Sequence, residues 1–392
     1  MPNKPLAPWP SYTPEEVDSV SRVLSSNRVS YWTGTECREF EKEFAHELGV
    51  EHAIALANGT LALEIALRAL DIGPGDEVVV TPRSFVASAS CVVASGARPV
   101  FADVDAETQN VTAATIRDVL TSKTRGVICV HLAGYPCDMD AIMALASEHD
   151  LKIIEDCAQA HGARYRNQMV GSIGHIGAWS FCQDKIMTTG GEGGMVTTRD
   201  RDLWSRMWSY KDHGKSWESV YEREHAPGFP WRHDTFGSNY RMLEIQAVLG
   251  RIQLKKLPEW MRHRQRNAAI LDKFMAAYDC IRRIQPPDHV THSYYRFDMF
   301  VRPERLREGW SRDRIIAECI ARGVPAYFGA CPEIYREKAF QNAGFAPRQR
   351  LPMAKALGET CIQFLVHPTL DDQDMEFVGR SVAEVLEQAQ AG

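Results

Sequence analysis

The chain has 392 residues, 44% of them apolar, with 27 Gly and 20 Pro, which is enough to bury a sizeable core and to form two domains. A formal charge of −6 gives no long-range attraction for phosphate backbones or anionic lipid, which argues against nucleic-acid and membrane partners. The start "MPNKPLAPWP" lacks the apolar stretch of an export signal, no apolar run is long enough to span a bilayer, and the cysteines are scattered singly, so a cytoplasmic protein with reduced thiols is expected.

Between about residues 50 and 200, Val- and Ile-rich runs alternate with helical patterns. "HAIALANGT" precedes "LALEIALRAL" and "EVVVTP" precedes "FVASASCVVASG"; then come "PVFADVD", "GVICVHLAG", "KIIEDCAQAHG", "IGAWSFC" and "GGMVTT". This predicts an α/β domain around a mostly parallel sheet covered on both faces. Ligands of such sheets sit at the carboxyl ends of the strands. The residues at those ends are Asn58-Gly59-Thr60, Ser84-Phe85, His131, Asp156 with Gln159 and His161, and Ser180 through Lys185.

The polar, aromatic stretch "WSYKDHGKSWESVYEREHAPGFPWRHDTFGSNY" is too long for a simple connection and predicts a functional loop. A helix follows, with Asn239 as its cap, Met242, Ile245, Leu249 and Ile252 at helical spacing, and Pro258 as its interruption. A second helical run, a strand in "SYYRFDMFV" and a helix in "SRDRIIAECIARGV" predict a small C-terminal α+β domain. The expected division is a large domain, 1–257, and a small one, 258–392.

Three stretches carry candidate chemistry. In "ANGTLALEIALRAL" a strand ends, Gly59 permits a tight turn, and Thr60 opens a helix whose first N–H groups favour an anion; an ordinary helix cap is the plain alternative. Asp156, just past a buried strand, needs a partner to stay ionised, and the proton of a cationic heterocycle is one such partner. Glu155 alternates to the other face. Lys185 follows an apolar strand and precedes "TTGGEGG", whose glycines let backbone approach a bound group. A lysine there is a surface charge or, desolvated or beside other cations, a nucleophilic amine that forms imines.

No phosphate-binding P-loop, G-x-G-x-x-G helix start or G-x-S-x-G elbow is present, and His131, His161 and His213 lack metal-ligand spacing, so no metal site is expected. An anion cradle, an aromatic after a strand (Phe85), an acid at a strand end, and a Ser and Lys about thirty residues on fit pyridoxal phosphate.

With "NGTLALEIAL", "TPRSFVASA", "FADVD", "EDCAQAHGA", "SFCQDK", "GGEGGMV" and "GSNYRMLEIQAVLGRIQL", the chain resembles the DegT/StrS family of sugar aminotransferases. The resemblance implies the aspartate-aminotransferase fold: a large domain with a mostly parallel seven-stranded sheet, and a small C-terminal domain. It implies that Lys185 binds pyridoxal 5'-phosphate covalently and that Asp156 pairs with the pyridinium nitrogen. Phe85 would lie on the ring, Gln159 near the 3-hydroxyl, and Gly59, Thr60 and Ser180 around the phosphate. Asn239 would reach the phosphate from the neighbouring subunit, which implies a homodimer with shared active sites.

The implied reaction moves an amino group from L-glutamate to a keto-sugar, nucleotide-linked, for amino-sugar and surface-polysaccharide biosynthesis, with pyridoxamine 5'-phosphate as intermediate. Substrate contacts are expected at Trp32, His131, His161, His213, Arg241 and His367, although His367 reads equally as a structural histidine of the small domain. A keto-cyclitol acceptor is an alternative. A non-catalytic regulator on the same scaffold is a remoter one, suggested by the basic run "RIQLKKLPEWMRHRQR".

Overall fold

The computed structural model describes residues 5–391. Its centre is a seven-stranded sheet in the order His52–Leu56, Gly194–Thr198, Ile176–Ser180, Lys152–Asp156, Thr124–Val130, Glu77–Val80, Arg98–Phe101. Gly194–Thr198 runs antiparallel to both its neighbours, and the remaining pairings are parallel.

Alternation within the apolar runs fills both faces. Val78, Val80, Ile128, Val130 and Ile154 pack with Leu63 and Leu67 of the helix Gly59–Ala69. Val79, Val127, Cys129 and Ile153 pack with Ile142 and Leu145 of the helix Met139–His149. A second, four-stranded antiparallel sheet orders Ile281–Arg283, Phe297–Val301, Cys361–Phe364 and Ala326–Tyr327. The helices Arg312–Ala321 and Asp372–Ala389 share its core.

The structure corrects three expectations. Pro258 does not interrupt the long helix, which runs unbroken over the 32 residues Glu244–Met275, so the 257/258 division falls inside it. Proline in a helix interior costs about 3 kcal/mol. Here burial on both sides of Pro258 offsets that cost: Leu249, Leu254, Leu257 and Met261 before and around it, Ala268, Leu271 and Met275 after it. Asn239 does not cap this helix; Leu243 occupies the cap position, and Asn239 lies exposed in the irregular stretch before it. The expected long loop is also partly helical, in Arg201–Lys211 and Trp217–Tyr221.

Of the six Lys and Arg in the basic run, Lys255, Arg262 and Arg266 are exposed and the other three are partly or fully buried. Arg251 pairs with Glu36 and Glu43, each at 2.6 Å, Lys256 pairs with Glu16 at 3.0 Å, and Arg264 is fully buried. Among the described residues, no helix is long and apolar enough to cross a membrane.

Candidate active site

Sheet register brings three distant segments to one crevice. Ser180 pairs with Gly194, which pairs in turn with Leu56, so the turn Asn58-Gly59 lies beside Ser180. The approach is close enough that a Cβ added at Gly59 would stand 2.6 Å from Ser180 Cβ. Asn58 Oδ1 accepts from Leu61 N at 3.0 Å, leaving Gly59 and Thr60 N–H as the orphan donors of the first turn. In the neighbouring strands Asp156 pairs with Ala178, which carries its carboxylate to the same end of the sheet.

A cavity of about 790 Å³ opens there, within the range of small-molecule sites. Gly59, Thr60, Phe85, Asp156, Gln159, Ser180 and Lys185 all line it. Phe85 is 66% exposed, a large apolar side chain left open on the cavity wall. Gln159 is anchored by its Oε1, which accepts from Ala133 N at 2.8 Å, so its amide NH₂ retains its donors.

Asp156 is buried and meets no cation at contact distance. Ser88 Oγ donates to its Oδ2 at 2.7 Å and Ala158 N to its Oδ1 at 3.1 Å. Burial nevertheless pushes its pKa up, with Ser88, the Ala158 N–H and the charge of Lys185 opposing. A carboxylate in that position is suited to a protonated ring nitrogen.

Lys185 carries a side chain 13% exposed, its Nζ 5.1 Å from the Tyr295 ring centroid and 3.8 Å from Asp184 Oδ1. Trp9 Nε1 donates to its backbone carbonyl at 2.8 Å, pinning the loop from the N-terminal segment. Helix-start donors, an exposed aromatic face, a buried unpaired carboxylate and a shielded amine thus fit the donor set that pyridoxal phosphate needs.

Asn239 does not line the cavity, nor do the six residues expected to contact substrate. His131 is fully buried on the far face, its Nε2 3.0 Å from Glu155 Oε2 and its Nδ1 accepting from Cys137 N. Glu155 also accepts from the N–H groups of Gly171, Ile173 and Gly174, so its carboxylate ties strand to loop. His161 is buried against Trp179 and Phe181, and burial, helped by Lys185 and Arg264, lowers its pKa to about 3.

His367 stacks on Trp9, and its Nδ1 lies 2.8 Å from Thr369 Oγ1, which makes it a structural histidine of the small domain. Trp32 lies under Lys215 and Arg241 pairs with Asp212 at 2.8 Å, while His213 is exposed. Residues that sequence reading passed over do line the cavity, notably Ser88, Asp184, Tyr295, Arg296 and Gln363. Only Asp184 had a signal in the sequence, its place beside Lys185.

The sheet order and the crevice define the aspartate-aminotransferase architecture. Residues 10–383 match the DegT/DnrJ/EryC1/StrS aminotransferase family, and the chain belongs to that family. An aminotransferase from Psychrobacter cryohalolentis is 56% identical and superposes with a TM-score of 0.96, over 98% of this chain and 99% of that one. GDP-perosamine synthase from Caulobacter vibrioides is 37% identical over 350 residues, covering 89% of each chain. L-glutamine:2-deoxy-scyllo-inosose aminotransferase from Streptomyces paromomycinus is 37% identical over 352 residues, covering 88% of this chain and 81% of that one.

Proposed function

We propose that this aminotransferase uses pyridoxal phosphate held by Lys185 to move an amino group from L-glutamate to a nucleotide-linked keto-sugar. The observation that carries the reading is the convergence of Gly59, Thr60, Phe85, Asp156, Gln159, Ser180 and Lys185 on one cavity. The cofactor, when bound, supplies an electron sink for the carbon that gains and loses the amino group. Gly59 and Thr60 N–H, with the Ser180 hydroxyl, would hold its phosphate, Phe85 would support its ring, and Gln159 would donate to its 3-hydroxyl.

Asp156 would keep the ring nitrogen protonated, with the Ser88 hydroxyl holding the carboxylate in place. The Lys185 amine would hold the cofactor and, once freed, would take the proton from the donor's Cα and deliver it to the cofactor carbon that had carried the imine. The nucleotide-sugar reading is supported by relatives such as GDP-perosamine synthase, and the cyclitol alternative by the 2-deoxy-scyllo-inosose enzyme.

The working unit is a homodimer in which Asn239 of one copy reaches the cofactor phosphate of the other. Asn239 is exposed in the single chain, and Phe229, Trp231 and Phe236 are 70%, 79% and 100% exposed in the same stretch, an apolar surface suited to cover by a second copy. Turnover by the cofactor-loaded protein, with L-glutamate against a panel of nucleotide keto-sugars and keto-cyclitols, tests the reading. Amination of a cyclitol alone would replace the sugar assignment, and amination of neither would remove the function.

A further inference from the structure

A lysine amine is only as well placed as the backbone that carries it, because the side chain is a flexible four-carbon stem. Two peptide planes flank Lys185 Cα. The preceding one is held within the loop, where Lys185 N donates to the Cys182 carbonyl at 3.1 Å. The following one is held from far off in the chain. Among the described residues, the only donor to the Lys185 carbonyl is Trp9 Nε1, 176 positions earlier, at 2.8 Å.

The indole is itself fixed on its other sides. Trp260 of the long helix meets it edge-on with ring centroids 5.0 Å apart, His367 stacks on it at 6.0 Å, and the Arg264 guanidinium lies 5.3 Å from its ring centroid. Just before it, the Pro8 carbonyl accepts from Thr369 Oγ1 at 3.0 Å, and Leu6 packs on the core beneath the small sheet. Farther along, Glu16 of the helix Pro14–Ser25 accepts from Gln253 Nε2 at 3.0 Å, and Gln253 Oε1 accepts from Thr188 N at 2.8 Å. Residues 6–16 thus form a strap from the small domain across the lysine loop to the long helix. It touches that loop directly at Lys185 and, through Gln253, at Thr188.

Placement matters more for proton transfer than for holding a cofactor. Cofactor binding is shared among many groups of the crevice and tolerates a looser lysine, whereas the proton moves through one nitrogen that must come within hydrogen-bond reach of the reacting carbon. A misplacement of about 1 Å can cost about 100-fold in rate.

With the cofactor assigned to Lys185 as above, we propose that Trp9 is a positioning residue: its indole N–H fixes the Lys185 carbonyl and so keeps Nζ where proton transfer needs it. Trp9 does not line the cavity, and it acts through the backbone alone. Loss of one neutral hydrogen bond corresponds to a fall in rate of about 2- to 12-fold.

The test compares wild type with Trp9→Phe, which keeps an aromatic ring beside Trp260 and His367 but has no N–H. Stopped-flow absorption follows the visible band of the lysine-bound cofactor, first as it forms on mixing cofactor-free protein with excess pyridoxal phosphate, then as L-glutamate removes it. The expected result is a final band of wild-type height that forms at least about twofold more slowly, and a rate at saturating glutamate about 2- to 12-fold lower. The glutamate concentration for half-maximal rate should stay within about twofold of wild type, because substrate binding is untouched. If Trp9→Phe fails to fold or to load, 3-benzothienylalanine at position 9, which keeps the shape of the indole and puts sulfur in place of its N–H, replaces it with the same expectation.

Saturating rates equal to wild type, with only a lower unfolding temperature, overturn the assignment and leave Trp9 a structural residue. A defect that excess glutamate abolishes overturns it as well. A wild type that shows no visible band on mixing with the cofactor defeats the aminotransferase reading instead, so the two failures are distinguishable.

Discussion

The hydroxyl of Ser88 donates to Asp156 Oδ2 across 2.7 Å, and Ser84 Oγ lies 2.9 Å behind it, so the acid of the crevice is held by a short chain of hydroxyls from the two sides of Phe85. With Ala158 N–H on the other oxygen, each carboxylate oxygen is held by one donor and keeps acceptor capacity for a further one. Ser88→Ala is expected to weaken pyridoxal phosphate binding by about 5- to 30-fold, the worth of one buried hydrogen bond to a charged group, and Ser88→Thr to restore it. Fluorescence titration of the cofactor-free protein measures both. Equal weakening by Ala and Thr would show that packing rather than the hydroxyl matters.

Asp156 itself stands at odds with the folding stability of the bare chain. Burial raises its pKa, so its ionised form disfavours the folded state as pH rises through that pKa. Asp156→Asn is therefore expected to leave the cofactor-free protein as stable as wild type or more stable, by up to about 1 kcal/mol, while cofactor affinity falls at least tenfold. Urea denaturation with and without cofactor gives both numbers. A variant that unfolds more readily without cofactor would contradict this account.

Glu155 is expected to behave in the opposite way. Burial alone would raise its pKa, but His131 and the N–H groups of Gly171 and Gly174 hold it below the ordinary carboxyl value of 4.5. Its contribution is present above that value and is lost as pH falls through the lower folded-state pKa. Glu155→Gln should flatten the acid limb of a stability-against-pH curve, and the same acid limb in both proteins would assign the loss elsewhere.

Lys211 supplies an alkaline counterpart. It is fully buried, with Nζ 3.5 Å from the Tyr31 ring centroid, and burial lowers its pKa from 10.5 to about 8. Between these two values the unfolded chain holds the proton that the folded chain has released, so stability rises with pH in that window. Differential scanning calorimetry of Lys211→Met against wild type should show this rise only in the wild type.

The large sheet was legible because its strands are continuous apolar runs bounded by turn residues, and most of the residues that meet in the cavity were legible because they follow strand ends. The same rule misdirected the reading of His131 and His161, which follow strands but turn into the protein, one to Glu155 and the other between aromatic rings. Pro258 misled because a local preference was outweighed by packing along the whole of Glu244–Met275. Arg296 left no sequence signal, since its approach to Asp184 joins segments more than a hundred residues apart and depends on how the small sheet meets the crevice.

The central claim is that Lys185 is the amine that holds the cofactor and moves the proton. Its most direct measurement is the visible absorption spectrum of wild type and Lys185→Ala after loading with pyridoxal phosphate, before and after addition of L-glutamate. The predicted result is a band in the wild type that glutamate removes, and in the variant neither the band nor any turnover. A Lys185→Ala protein that keeps the band and responds to glutamate as the wild type does would contradict the account.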